Sequence, residues 1–229
     1  MHWALLVILL LWLAGPWWRG RYKDIRALTG IVLILAVVAP SLAHAGIPHD
    51  SYRYRAELTR SARLVWGLDA PVATFAAQIH QESRWRENAK SAVGARGMAQ
   101  FMPATAKWIN GAYPALATID ATPENPAWAM RALATYDKYL YDRVKASNAC
   151  ERMAKALSGF NGGLGWVYRD EKVAAANGAN PLVWFGEVER FNAGRSLANW
   201  KENRGYPRII LTRFEPLYIR AGWGEGVCT

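Results

Sequence analysis

The stretch "IHQESRWRENAKSAVGARGMAQFMPATA", residues 79–106, carries one carboxylate in a position to do chemistry. Phe75, Gln78, Ile79 and Glu82 fall at i, i+3, i+4 and i+7, one face of a helix. Phe75 and Ile79 belong in a core, which puts Glu82 on the last turn of a buried stripe, at a cleft edge. Partial removal from water favours the neutral carboxyl and raises its pKa, the condition for a general acid near neutral pH. The competing structural role is a salt bridge from Glu82 to Arg84 or Arg86. In the loop that follows, Gly94 and Gly97 permit a tight turn with backbone close to a ligand. Ser91 and Gln100 offer a hydroxyl and an amide suited to sugars and N-acetyl groups. Glycosidic cleavage usually employs two carboxylates, and this stretch has no second acid of comparable placement. His80, beside Glu82, projects elsewhere on the helix and reads as structural.

The elements that must hold these groups read as helices almost throughout from Asp50 on. "SYRYRAELTRSARLVWG" starts with Ser51 as a cap candidate and stops at Gly67. "DAPVATFAAQIHQESRW" begins with Asp69 as cap and Pro71 in the first turn, where its missing N–H is harmless. "PAWAMRALATYDKYLYDRVKA" spaces Trp128, Leu133, Tyr136 and Leu140 as a long amphipathic helix. "CERMAKALSGF" is a further helix that breaks at "NGGLG", and a final helix follows "ENRGYP". Residues 110–126 and "NGANPLVWFGEVERFNAGRSL" read as loops. No sustained alternation of apolar and polar residues argues for a sheet. The expected fold is mainly α, a single domain over residues 50–229, after a membrane-targeting region at residues 1–45.

That N-terminal region contains two apolar runs, Trp3 to Trp18 and Ile31 to Ala45, separated by the basic loop "RGRYKDIR". Each is shorter than the ~20 residues that comfortably span a bilayer. The second ends in "SLAHA" before Gly46, which meets the small-x-small rule for signal cleavage after Ala45. Basic loops favour the cytoplasmic side, so everything beyond residue 46 is expected outside: periplasmic, and either anchored in the inner membrane or released. Residues 1–45 carry four basic side chains and one acidic one, so +7 of the +10 formal charge sits from Gly46 onward. That excess suits an anionic polymer or surface: nucleic acid, lipid headgroups or bacterial wall. In an exported protein Cys150 and Cys228 can pair, though spacing alone leaves two unpaired thiols equally open. Nothing resembles Cys/His metal spacing, so no metal and no cofactor are expected.

Taken together, "ES", the Ser nine residues after Glu82, and "GARGMAQFMPATA" resemble the soluble lytic transglycosylase family of glycoside hydrolases. Its usual form is E-S followed by S-x-x-G-A-x-G-L-M-Q-x-M-P-x-T-A. Glu82, Ser91, Gly94, Ala95, Gly97, Gln100, Met102, Pro103, Thr105 and Ala106 match in type and spacing. "ALSGFNGGLGWV" resembles the family's A-Y-N-A-G-x-G-x-V, and "ENRGYPRII" its E-T-R-x-Y-V-x-x-I. "NPAWAMRALATYDKYL" resembles the helix leading to the second of these. The resemblance spans about residues 55–215. Phe160 stands where the family usually has Tyr, Met98 and Ala99 replace a Leu-Met pair, and Pro207 follows Tyr206 where Val is common.

The resemblance implies a lysozyme-like fold and a peptidoglycan substrate. It also implies a reaction in which Glu82 serves first as acid and then as base, leaving 1,6-anhydromuramyl ends. Ser91, Gln100, Met102, Phe160 and Asn161 would line the muramyl subsite, while Glu202 and Tyr206 would close the cleft. Structural roles stand beside these: Asn161 as a helix C-cap, Met102 and Tyr206 as core, Glu202 as an acid at a helix N-terminus. The rival function is hydrolysis of the goose-type lysozyme kind, with Asp120 or Asp137 positioning water. A non-catalytic wall-binding or assembly protein and a basic nucleic-acid binder are more distant, the last lacking any nucleic-acid motif. A monomer acting in host lysis or in wall opening is expected. A phage lysis enzyme is slightly favoured over a transglycosylase serving secretion or conjugation, because no additional wall-binding domain is evident.

Overall fold

Glu82 owes its position to a helix that is buried nearly all the way round. The structure, a computed structural model, describes residues 46–117 and 120–228. In it α1 (Arg55–Trp66) precedes α2 (Val72–Ser83), where Val72 to His80 and Ser83 are all buried. The alanines Ala73, Ala76 and Ala77 give α2 a slim surface, so α1 and the C-terminal segments Ile209–Phe214 and Glu215–Arg220 pack close against it. A helix apolar on all sides belongs at the centre of a domain, and α2 is that centre. It starts from Pro71 with no side-chain cap, so Asp69 is not the cap the sequence suggested. Likewise α1 follows a short 3-10 turn, His49–Tyr54, and starts at Tyr54 rather than Ser51.

The C-terminal end of α2 is abrupt. Arg84 and Trp85 both adopt left-handed backbone angles, φ 53° and 67°, which cost non-glycine residues on the order of 1 kcal/mol each. Burial of the Trp85 ring and its 2.7 Å indole bond to the Tyr218 hydroxyl hold the second of them in place. The chain then runs through a loop pinned by two isolated bridges, Lys90 with Arg96 and Arg96 with Phe101. Gly97 is obligatory there: a Cβ would sit 1.6 Å from the Pro123 carbonyl oxygen.

Helix α3 (Pro103–Ala112) leads to α4 (Pro126–Tyr141), whose N-cap Asn125 accepts from the amides of Ala127 and Trp128. Asn148 caps α5 (Ala149–Gly162), and after Gly163 the chain resumes as α6 (Leu164–Ala176), a helix absent from the sequence expectation. Ser196 caps α7 (Leu197–Arg208), a π-helical turn spans Ile209–Phe214, and α8 (Glu215–Arg220) follows. "ENRGYP" therefore lies within α7, and the helix expected after it is α8, one π turn further on. Pro207 lacks the amide that would continue the ladder, and the backbone absorbs this by widening into the π turn two residues later.

The long loop between α6 and α7 is tied down by buried charge. Asp170 receives both Arg195 and Arg204, and Glu151 accepts the amides of Trp184 and Phe185 at 2.6 and 3.0 Å. From Ile47 onward the chain forms one compact unit. Among the described residues no sheet forms, and no helix is long and apolar enough to cross a membrane. The N-terminal apolar runs, with the anchoring and cleavage expected of them, lie outside the described residues.

Cys150, at the start of α5, is joined to Cys228 by a disulfide. Nearby, buried Glu215 accepts the amides of Val227 and Cys228 and the Thr74 hydroxyl, so the C-terminal strand of chain is bound to α2 and α5 together. A crosslink across 78 residues should stabilise the fold by about 4 kcal/mol. Thermal melts with and without reductant should differ accordingly, and superimposable melts would show that the Glu215 contacts suffice.

Candidate active site

Glu82 sits on the last turn of α2, partly accessible, and accepts a hydrogen bond from the Tyr206 hydroxyl of α7. Burial is the largest influence on it, the Tyr206 bond opposes burial, and the negative charge of Glu202 adds to it. The outcome is a pKa pushed up to about 7. Its place at the negative end of α2 acts in the same direction. Among the described residues no ion pair includes Glu82, so the salt bridge to Arg84 or Arg86 does not form; the Arg86 side chain instead donates to the Ser83 carbonyl. A carboxyl in this state is half-protonated near neutrality, which suits proton donation and proton recovery equally.

Behind Tyr206 lies a buried polar pair that the motifs do not announce. Gln78, one turn before Glu82, donates to Asp137 of α4 at 3.4 Å and also hydrogen-bonds Tyr206. Asp137 is fully buried and held well above the usual carboxylate range, first by burial and then by the charge of Glu82, with the Gln78 bond opposing. Asp137 Oδ2 and Gln78 Oε1 both lack partners. A neutral carboxyl donates as well as accepts, which suits it to a site with an unused acceptor. The Tyr206 hydroxyl is held far above its usual range by burial and by Glu82, so it remains a donor. Gln78 was visible in the sequence only as a member of the α2 stripe.

Of the remaining predicted residues, Phe160 stacks on Tyr206, ring centroids 6.4 Å apart and planes 7° from parallel. Asn161 is inside the last turn of α5, with Gly163 as the cap, and accepts from Asn203 at 3.0 Å. Asn161 and Glu202 line one cavity of about 450 Å³ that also takes in Trp166, Arg195 and Asn199. Met102 is exposed at the start of α3 and is not core. Ser91 and Gln100 serve the loop's own architecture: the Ser91 hydroxyl accepts the Ala95 amide at 2.9 Å, and the Gln100 amide donates to the carbonyls of Ala89 and Gly97. Asp120 is exposed. His80 is structural as expected, stacked on Phe214 and beside the Tyr218 hydroxyl, its pKa lowered to about 4 by burial and then by Arg84 and Arg213. Among the described residues no group of His, Cys, Asp and Glu is arranged to hold a metal ion.

An all-helical domain that presents one raised carboxyl from a central buried helix is a lysozyme-like arrangement. The sequence model of the Transglycosylase SLT domain matches residues 64–183, more than half of the chain, and the chain belongs to that family. The match includes Glu82 and Asn161 and stops short of Glu202 and Tyr206. Membrane-bound lytic murein transglycosylase F of Vibrio campbellii is 31% identical over 136 residues, covering 58% of this chain and 24% of its own. The protein of the same name from Shewanella pealeana is 34% identical over 111 residues, 48% of this chain and 21% of its own. The chain thus spans about a quarter of the length of these relatives. Among solved structures, the 70 kDa soluble lytic transglycosylase of Escherichia coli shares the fold with a TM-score of 0.52 at 22% identity, over 76% of this chain and 25% of that one. An inactive mutant of the lytic transglycosylase Slt of Pseudomonas aeruginosa gives 0.51 at 21%, over 77% and 25%.

The raised pKa has a consequence for stability. The fold holds the Glu82 proton more tightly than the unfolded chain does, so stability is lost as pH rises from about 4.5 to about 7. Glu82→Gln removes that loss and keeps an acceptor for Tyr206. Its melting temperature should exceed the parent's at pH 8, by the equivalent of up to about 3 kcal/mol, and should approach the parent's at pH 5. An increment independent of pH would mean that Glu82 titrates as an ordinary carboxylate.

Proposed function

We propose that this chain is a peptidoglycan lytic transglycosylase that cleaves the β-1,4 bond between N-acetylmuramic acid and N-acetylglucosamine and leaves a 1,6-anhydromuramyl end. The observation that carries the proposal is the state of Glu82: a carboxyl near half-protonation at neutral pH, partly accessible on the last turn of α2 and oriented by Tyr206. Glu82 protonates the glycosidic oxygen as the bond to C1 breaks. The muramyl N-acetyl group stabilises the positive anomeric carbon from within the substrate. The Glu82 carboxylate then takes the proton of the C6 hydroxyl as that oxygen bonds to C1, so the carboxyl is regenerated and no water is consumed. Family membership supports the reaction class, and the names of the relatives, lytic murein transglycosylases, support the substrate.

In this proposal Asn161 and Met102 contact the muramyl unit, Phe160 stacks near it, and Glu202 flanks the cavity. Ser91 and Gln100 shape the wall of the cleft by holding the loop. The protein acts outside the inner membrane, with residues 1–45 as anchor or cleaved signal, in host lysis or in wall opening.

Hydrolysis stays the rival because Glu202 is close enough for its charge to raise Glu82. Asp137 cannot take the water-positioning part, being sealed from solvent and held toward its neutral form. Mass spectrometry of digested sacculi decides between the two. Muropeptides one water lighter than lysozyme products are expected, and fully hydrated reducing ends would establish the hydrolase instead. Glu82→Gln should abolish release of either. Because the first step needs protonated Glu82, activity should fall as pH rises through about 7.

Tyr206 lowers the Glu82 pKa through its hydrogen bond. Tyr206→Phe should therefore slow turnover and move the alkaline limb of the pH–rate profile upward. A slower enzyme with an unshifted limb would assign Tyr206 a packing role only.

A further inference from the structure

Aromatic rings lead away from Glu82 in an unbroken series contributed by four helices. Tyr206 of α7 stacks on Phe160 of α5, Phe160 meets Tyr136 of α4 at 5.5 Å, and Tyr136 meets Trp108 of α3 at 5.9 Å. Tyr139 braces the outer end, 4.9 Å from Trp108, with its own ring covered by the Arg143 guanidinium at 3.5 Å. Exposure grows along the series. Tyr206 is 5% exposed, Phe160 and Tyr136 are half-buried, and Trp108 keeps 42% of its surface open. Trp85, Trp128, Trp184 and Trp223 are each exposed by 2% or less. Burial of an aromatic ring is among the largest hydrophobic gains available to a fold, so a tryptophan held open at the end of such a series does not serve the core alone.

We propose that Phe160, Tyr136 and Trp108 form a stacking track for the pyranose rings of a glycan strand, with Trp108 as its outermost platform. The proposal rests on the glycan-cleaving reading of Glu82 and extends it away from the scissile bond. Sugar rings present apolar C–H faces that pack on aromatic faces, while their hydroxyls point outward to water or to edge groups such as the Tyr136 hydroxyl. That hydroxyl is raised above its usual range, first by burial, and stays a donor. Continuity favours a glycan over a lipid or protein occupant: the series begins at the tyrosine that touches the catalytic acid, and a strand held there has to leave the cleft across adjoining surface. The track carries no charge of its own, so the binding it supplies should be insensitive to salt.

The test uses the full-length Glu82→Gln protein, which binds without turnover, titrated calorimetrically with chitobiose and chitohexaose. The parent should hold chitohexaose more tightly than chitobiose. Adding Trp108→Ala should weaken chitohexaose by about 3- to 10-fold and leave chitobiose unchanged, and Trp108→Phe should restore most of the loss. Chitohexaose binding that is equal in Trp108→Ala and its parent, or absent in the parent, overturns the track, as does an equal loss for both sugars. If the active protein gives no anhydro ends while the length-dependent loss persists, the track stands and the lytic reading falls.

Discussion

The hydrogen bond from Tyr206 to Glu82 is the constraint on which the rest of the domain depends. Its partners are 124 residues apart, one on the central helix and one on a helix near the end of the chain. For them to meet, α7 must lie along α5 and the π turn must press on α2, as both do. The bond also sets the chemistry. Burial and the helix end disfavour a negative Glu82, and left unopposed they would hold its carboxyl still further toward the neutral form. The phenol returns part of that stabilisation to the carboxylate. A pKa near neutrality is the balance of these opposing effects, so it belongs to the tertiary structure and not to the helix that carries the acid.

Phe160 serves that balance through its ring alone. With Tyr206 already donating, the ring at 160 has only to hold the phenol in its plane of approach, which near-parallel stacking does. Pro207 contributes from the other side. By withholding an amide from the last turn of α7, it leads the chain into the wider π turn whose Phe214 covers His80 on α2.

The sequence made α2, its apolar face and the place of Glu82 legible because all three follow from spacing along one helix. The family motifs pointed to Tyr206 and Asn161 but not to what they touch. Asn161 looked like a C-cap because Gly162 and Gly163 follow it, and only the approach of Asn203 fixes its side chain within α5. The helix after Gly163 escaped because its apolar stripe is thin, with Val167, Asp170 and Ala174 as its buried residues, one of them charged. Its burial depends on Arg195 and Arg204, which come from 25 and 34 residues later. That "ENRGYP" is itself helical escaped because proline is normally a helix breaker and the π turn that accommodates it has no local signature.

Asp137 is the residue whose meaning changed most between sequence and structure. As one acid among several it resembled the second carboxylate of a hydrolase; buried behind Gln78 and facing the field of Glu82, it has the opposite character. Two carboxyls this close within a poorly hydrated region cannot both ionise without strong mutual repulsion. The one without access to water yields, stays neutral, and leaves ionisation to Glu82, the one that keeps some access to solvent. Kept neutral, Asp137 adds no charge of its own, and the raised pKa of Glu82 rests on its own burial and on Glu202, with the Tyr206 bond opposing. Burial is what removes Asp137 as a second ionised carboxylate on that side.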